Sequence, residues 1–185
     1  MAGFTDPFLP ARLALTPTTS LSGLLDGAWW PYSDDLAVEL PRLVAALRAR
    51  WGPITRITAN PGPWPAASYR VRVDGLGLRI GWFTEQDRDT MILFSSGRLG
   101  RCDLLVIPPG TEPASAARLM AAASAPGNLH TSETLMSDES GKAHRAGHRA
   151  GAHRGREAAP SADGGALMQP RTPRQADHRG ENSAT

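Results

Sequence analysis

Two adjacent tryptophans, Trp29 and Trp30, with a third at Trp64, are the residues of this chain best suited to grip a planar or apolar group. Neighbours on a strand face opposite ways, so at most one of the pair points into a given core. The other faces a second layer, the surface or a pocket. With Trp64 closing over it from a loop, and Asp26, Asp34 and Asn60 as polar contacts, the set would line an aromatic pocket for a ligand or partner. The structural alternative is that both tryptophans staple the loop to the core, since each is a large apolar payload for a small domain.

Other candidates for chemistry are thinner. Asp26, Asp34, Asp35 and Glu39 would offer paired carboxylates for acid–base work, but helix capping accounts for Asp34 and Asp35. No histidine occurs before His130, which removes the commonest general base and metal ligand from the region up to Gly127. Cys102 alternates with Arg101 and Asp103 and reads as a core residue without a catalytic partner. His144 and His148 are four apart, a one-face helical spacing, yet no cysteine or acidic pair completes a metal site. Arg145, Arg149, Arg154 and Arg156 make a basic stretch without aromatic residues, suited to weak, salt-dependent phosphate contact only. Ser95–Arg101 hints at an anion-binding turn but lacks a following helix, and reads as a hairpin. The expectation is no catalytic residue, no metal and no cofactor.

The elements that must position these residues follow from periodicity. Residues 1–10 form a loose arm. Arg12–Thr16 alternates as a short edge strand, and Ala28–Trp30 is a short apolar run closed by Pro31. Ser33 has N-cap chemistry ahead of a helix carrying Leu36, Leu40, Leu43, Val44 and Leu47. Pro41 inside that pattern predicts a kink or a division in two. From Ile54 the period becomes two: Ile54–Thr58, then Tyr69, Val71 and Val73 against Arg70, Arg72 and Asp74. Leu76, Leu78, Ile80 and Trp82 follow against Arg79 and Phe83, then Met91–Phe94 and Arg101–Ile107. Asp74-Gly75 suits a hairpin turn. Short turns favour an antiparallel meander of about five strands. Thr111 caps a last helix, Pro113–Ser124, so the fold class expected is α+β, with two helices on one face of the sheet.

Composition divides the chain into a domain at 11–127 and a Gly/Arg/His/Ala-rich tail at 128–185. All five tryptophans, four phenylalanines and two tyrosines precede residue 95. The tail cannot bury enough apolar surface to offset an ordering cost of about 1–2 kcal/mol per residue, so disorder is expected there. Residues 1–136 carry 12 basic and 12 acidic side chains, and residues 137–185 carry eight and six. The net charge of +2 therefore belongs to the tail, and no basic face on the domain is legible. A lone cysteine, no secretory pattern at Met1–Pro10 and no long apolar run point to the cytoplasm.

The run Asp26–Ser33 (DGAWWPYS), Trp64 after the first long strand, and Leu104–Pro109 (LLVIPP) give the chain a resemblance over about residues 12–125. It resembles an uncharacterised actinobacterial domain family of unknown function. The resemblance implies no activity, fold or catalytic residue.

The function expected is a non-enzymatic regulatory or protein-interaction domain, its partner meeting the Trp29/Trp30 region or a sheet edge. The alternatives are a small-ligand sensor with an aromatic pocket and weak nucleic-acid binding through the basic tail.

Overall fold

The computed structural model describes residues 9–154, apart from 19, 66–68 and 74, so the Asp74 half of the expected hairpin turn, most of the arm and residues 155–185 lie outside it. Seven strands form one sheet in the order β1-β2-β7-β6-β3-β5-β4. They are β1 (Leu13–Leu15), β2 (Gly27–Trp29), β3 (Ile54–Ala59), β4 (Arg70–Val73), β5 (Leu76–Trp82), β6 (Thr90–Ser95) and β7 (Arg101–Val106). Three helices complete the described fold: α1 (Leu36–Trp51), α2 (Pro113–Ala123) and α3 (Ser132–Arg154). None is long and apolar enough to cross a membrane among the described residues.

The mixed α+β class is as expected, but the five-stranded antiparallel meander is not. β2 pairs parallel with β7, and β3 pairs parallel with β5. Short turns do join β4 to β5 and β6 to β7 as antiparallel neighbours. The charged loop after β5, however, does not make a hairpin, because β6 pairs with β3 instead. Turn length constrains only the strands it joins; which strand fills the gap is decided by burial. β3 takes the place between β6 and β5, where Ile57 and Ala59 are fully enclosed, at 0% and 1% exposure.

The helices also lie on both faces, not one. Alternate residues of β7 separate cleanly: Cys102, Leu104 and Val106 join a cluster under α1, whereas Leu105 and Ile107 join a second cluster under α2 and α3. Such two-sided burial explains why this strand reads as a nearly continuous apolar run.

α1 is one helix. Leu36, Leu40, Leu43, Val44, Leu47 and Trp51 form its buried stripe, and Pro41 is accommodated inside it, on the half-buried side. Its N-cap is Asp35, whose Oδ1 accepts from the N–H groups of Ala37 and Val38 at 3.0 and 3.4 Å. Ser33, expected to cap, instead donates to Glu39 Oε1 at 2.9 Å. Glu39 also accepts from the Tyr32 N–H at 3.2 Å, so a buried carboxylate ties the chain entering the helix to its first turns. In α2 the cap is Glu112 and not Thr111, through Oε2 and the Ser115 N–H at 3.0 Å.

α3 falls in the segment expected to be a disordered tail, and its residues are helical from Ser132 to Arg154. Its first turns dock: Leu135 is buried in the second cluster, and Glu139 accepts from Arg118 Nε of α2 at 2.9 Å. Ser132 Oγ and Thr90 Oγ1, 2.7 Å apart, pin its start to β6. Leu135, the half-buried Met136 and an ion pair whose carboxylate is buried but whose guanidinium is half exposed anchor a helix whose sequence shows almost no apolar stripe.

Candidate functional site

The six residues singled out by sequence do not assemble into one site. β2, β7, β3 and β5 run in the same direction. Asp26 precedes β2 and Asn60 follows β3, so the two sit at opposite ends of the sheet. Asp26 extends the β2–β7 ladder: its N–H donates to the Asp103 carbonyl at 2.8 Å and its Oδ2 accepts from the Asp103 N–H at 2.9 Å. Burial pushes its carboxyl above the ordinary value, with the Asp103 N–H pulling the other way. Gly27 is required beside it, because a Cβ there would lie 2.0 Å from the Ala14 carbonyl oxygen.

Trp29 and Trp30 separate to the two faces, as strand geometry demands. Trp29 stacks on Trp64, ring centroids 5.8 Å apart and planes at 18°, and both are buried in the cluster under α1. Trp64 does close over a tryptophan in the core, and its outer side lines a small crevice. Trp30 packs on the second cluster, with its Nε1 donating to the Pro109 carbonyl at 3.3 Å. The Arg12 guanidinium lies 3.5 Å from its ring centroid. Asn60 is fully occupied: Nδ2 donates to Thr84 and Gln86 carbonyls at 3.0 and 2.8 Å, and Oδ1 accepts from Gly62 at 2.8 Å. Asp34 is exposed in the turn before α1. Cys102 is buried, and burial together with Asp26 and Asp103 pushes its thiol pKa up, which disfavours the thiolate.

Where β2, β7 and β3 end, Pro31, Pro63, Trp64 and Pro109 line a crevice of about 200 Å³, with Arg88 and Asp89 at its wall. Burial and the neighbouring Asp87 charge push the Asp89 carboxyl up, while Arg88 pulls it down. A larger hollow of about 440 Å³ lies past the end of β5, between Pro61, Tyr69, Trp82, Phe83, Thr84 and Glu85. Its exposed rings, Tyr69 at 74% and Phe83 at 47%, stand in contrast to the buried tryptophans.

The feature with no counterpart in the sequence reading is the face of β6, β3, β5 and β4 turned away from α1. Register places Phe94 opposite Arg56, Arg56 opposite Arg79, and Arg79 opposite Arg70. Arg72 lies two residues along β4 on the same face, opposite Gly77. All four arginines are exposed, and among the described residues none is within ion-pair distance of a carboxylate. The Arg56 guanidinium lies 5.8 Å from the Phe94 ring centroid. Phe83 lies over Gly81 at the end of the same face, 2.9 Å from where a Gly81 Cβ would begin. The alternation in RVRV and LGLRIGW signals that each arginine points away from the core. Only strand pairing shows that they meet.

Among the described residues no group of three or more histidine, cysteine and acidic side chains is arranged to hold a metal ion. Neither the curated proteins nor the solved structures contain a match to this chain. A family model does match, over residues 12–123, which spans every strand and the first two helices and stops where α2 ends. The chain therefore belongs to a family of unknown function, DUF5994.

Proposed function

We propose that this is a non-enzymatic interaction domain whose partner docks on the face of β6, β3, β5 and β4. The observation that carries the reading is the file of Arg56, Arg79 and Arg70 in register on three adjacent strands, exposed and, among the described residues, without an ion-paired carboxylate. Like charges directly opposite one another destabilise a sheet, by about 0.2–1 kcal/mol for each pair. Such a face is matched by a partner that brings negative charge. The tryptophan region expected to meet a partner supports that role less well, since Trp29 is 1% exposed and Trp30 lies under Arg12. A binding role without catalysis is supported by the occupation of Asp26, Glu39 and Asn60 in backbone hydrogen bonds.

The test uses the full chain as bait. A partner held by the wild type and by Trp30→Ala, and released by Arg56→Glu with Arg79→Glu, is the expected result. A partner retained by the double variant and lost with Trp30→Ala overturns the choice of face.

The small-ligand reading retains one observation of its own, the crevice beside Trp64 with Arg88 and Asp89 in its wall. A metabolite that raises the unfolding temperature of the wild type but not of Arg88→Ala would favour it.

A further inference from the structure

We infer that the partner of this face is single-stranded nucleic acid, with phosphates held by Arg56, Arg79, Arg70 and Arg72 and bases stacked on Phe83 and Phe94. The inference rests on the open face being the binding surface and specifies what it binds. Cross-strand neighbours in a sheet are about 4.8 Å apart, so Arg56, Arg79 and Arg70 form a continuous basic track across β3, β5 and β4. Arg72 extends that track along β4. Aromatic rings stand at its margins: Phe94 is the next residue in the same cross-strand row, and Phe83 closes the row containing Thr58 and Gly81. Gly77 carries no side chain on this face and nothing lies within 4 Å of where its Cβ would stand, so a planar base can approach the sheet there, whereas the space over Gly81 is taken by Phe83 and Arg56.

Arginines flanked by aromatic rings, Phe83 exposed and Phe94 half-buried, are the combination that single strands need, because unstacked bases offer both a π-face and a phosphate. A duplex keeps its bases stacked and would use the arginines alone. A purely acidic peptide such as polyglutamate would likewise leave the phenylalanines idle. The chain's own C-terminal region does not supply a counter-charge, since residues 137–185 carry eight basic and six acidic side chains.

The experiment is fluorescence anisotropy of the full chain with labelled single-stranded DNA and RNA about 12 nucleotides long. The same sequence as a duplex, polyglutamate, and vesicles of phosphatidylserine and phosphatidylcholine are run in parallel. The expected result is binding of the single strands, stronger than of the duplex. Three or four phosphate contacts give a slope of log affinity against log salt of about −2 to −3. Arg56→Glu with Arg79→Glu abolishes binding. Phe83→Ala weakens it roughly tenfold while leaving the salt slope unchanged, as loss of one stacked base predicts. Circular dichroism checks that each variant is folded, and Arg79→Ser serves as a milder variant with a smaller expected loss.

Three results overturn the inference. One is no single-strand binding, or equal affinity for the duplex. Another is binding that survives the double variant but is lost when Arg145, Arg149, Arg154 and Arg156 become serine, which moves the contact to the tail. The third is capture of polyglutamate or vesicles instead, abolished by the double variant, which preserves the open face as the docking surface and changes its partner.

Discussion

At the scale of single residues, the carboxylates of Asp26 and Glu39 are held by backbone N–H groups, and Asp26 shows how that can be measured. Burial raises its carboxyl above the ordinary 3.8. The folded state then holds a proton that the unfolded chain has released. Its contribution to stability is full below 3.8 and is lost as pH rises through the raised value. Asn at this position keeps an oxygen to accept the Asp103 N–H and removes the ionisation. Asp26→Asn should therefore become more stable relative to wild type as pH rises from about 4 to about 7, read as the shift in urea midpoint at each pH. An unchanged difference across that range would mean the carboxyl titrates normally in the fold. Asp89 is shifted the same way and leaves a residual slope in both proteins. Glu139 is shifted down by its hydrogen bond to Arg118, so its contribution has the opposite sign and is lost as pH falls.

At the scale of elements, α3 is where packing overrides composition. Its sequence runs SETLMSDESGKAHRAGHRAGAHR, polar almost throughout, and no apolar periodicity announces a docked helix. What fixes its first turns is Leu135 in the cluster with Leu105, Ile107 and Leu119, together with Arg118–Glu139. Replacing a buried leucine by alanine costs about 2–5 kcal/mol. Leu135→Ala should fall at the lower end, about 2–3 kcal/mol, because the site lies at the margin of its cluster and can partly close. Thermal unfolding would show this as a fall of several degrees. No fall in unfolding temperature would place α3 free of the sheet. β7 is the opposite case: its apolar run LLVIPP was legible as a strand, but its two-sided burial required helices on both faces.

At the scale of the whole molecule, the formal neutrality of residues 1–136 conceals an uneven distribution of charge. Arginines gather on one sheet face, while Asp26, Glu39, Asp103 and Glu139 are spent on ladders, helix entry and α2–α3 docking. A row of like charges without an ion-paired carboxylate among the described residues carries a stability cost in the unbound protein. Arg79→Thr removes the central member and puts a β-branched residue on the strand. It should stabilise the domain by about 0.2–1 kcal/mol at low salt. The gain should shrink as salt is raised, since exposed charges are screened within about 10 Å at 0.1 M. Thermal unfolding at two ionic strengths reads both effects; a loss of stability in Arg79→Thr would show that the arginine is held by contacts and not by repulsion.

The sequence by itself determined what depends on local chemistry. Alternation at Tyr69–Val73 and Leu76–Trp82 marked strands and assigned their arginines to the side away from the core. The 3.6-residue repeat from Leu36 to Leu47 marked α1, and the adjacency of Trp29 and Trp30 fixed their opposite directions. Cap identity was only half legible, because Ser33, Asp34 and Asp35 all have the chemistry, and the entry geometry set by Glu39 selects Asp35. Tertiary structure alone decided the rest. Strand order is a non-local contest for burial, won by β3 between β5 and β6 and by β2 beside β7. That contest puts Trp64 on Trp29 in the core, where the sequence offered a pocket, and brings Arg56, Arg79 and Arg70 into one row. Alternation says which way a side chain points; only register says what stands beside it.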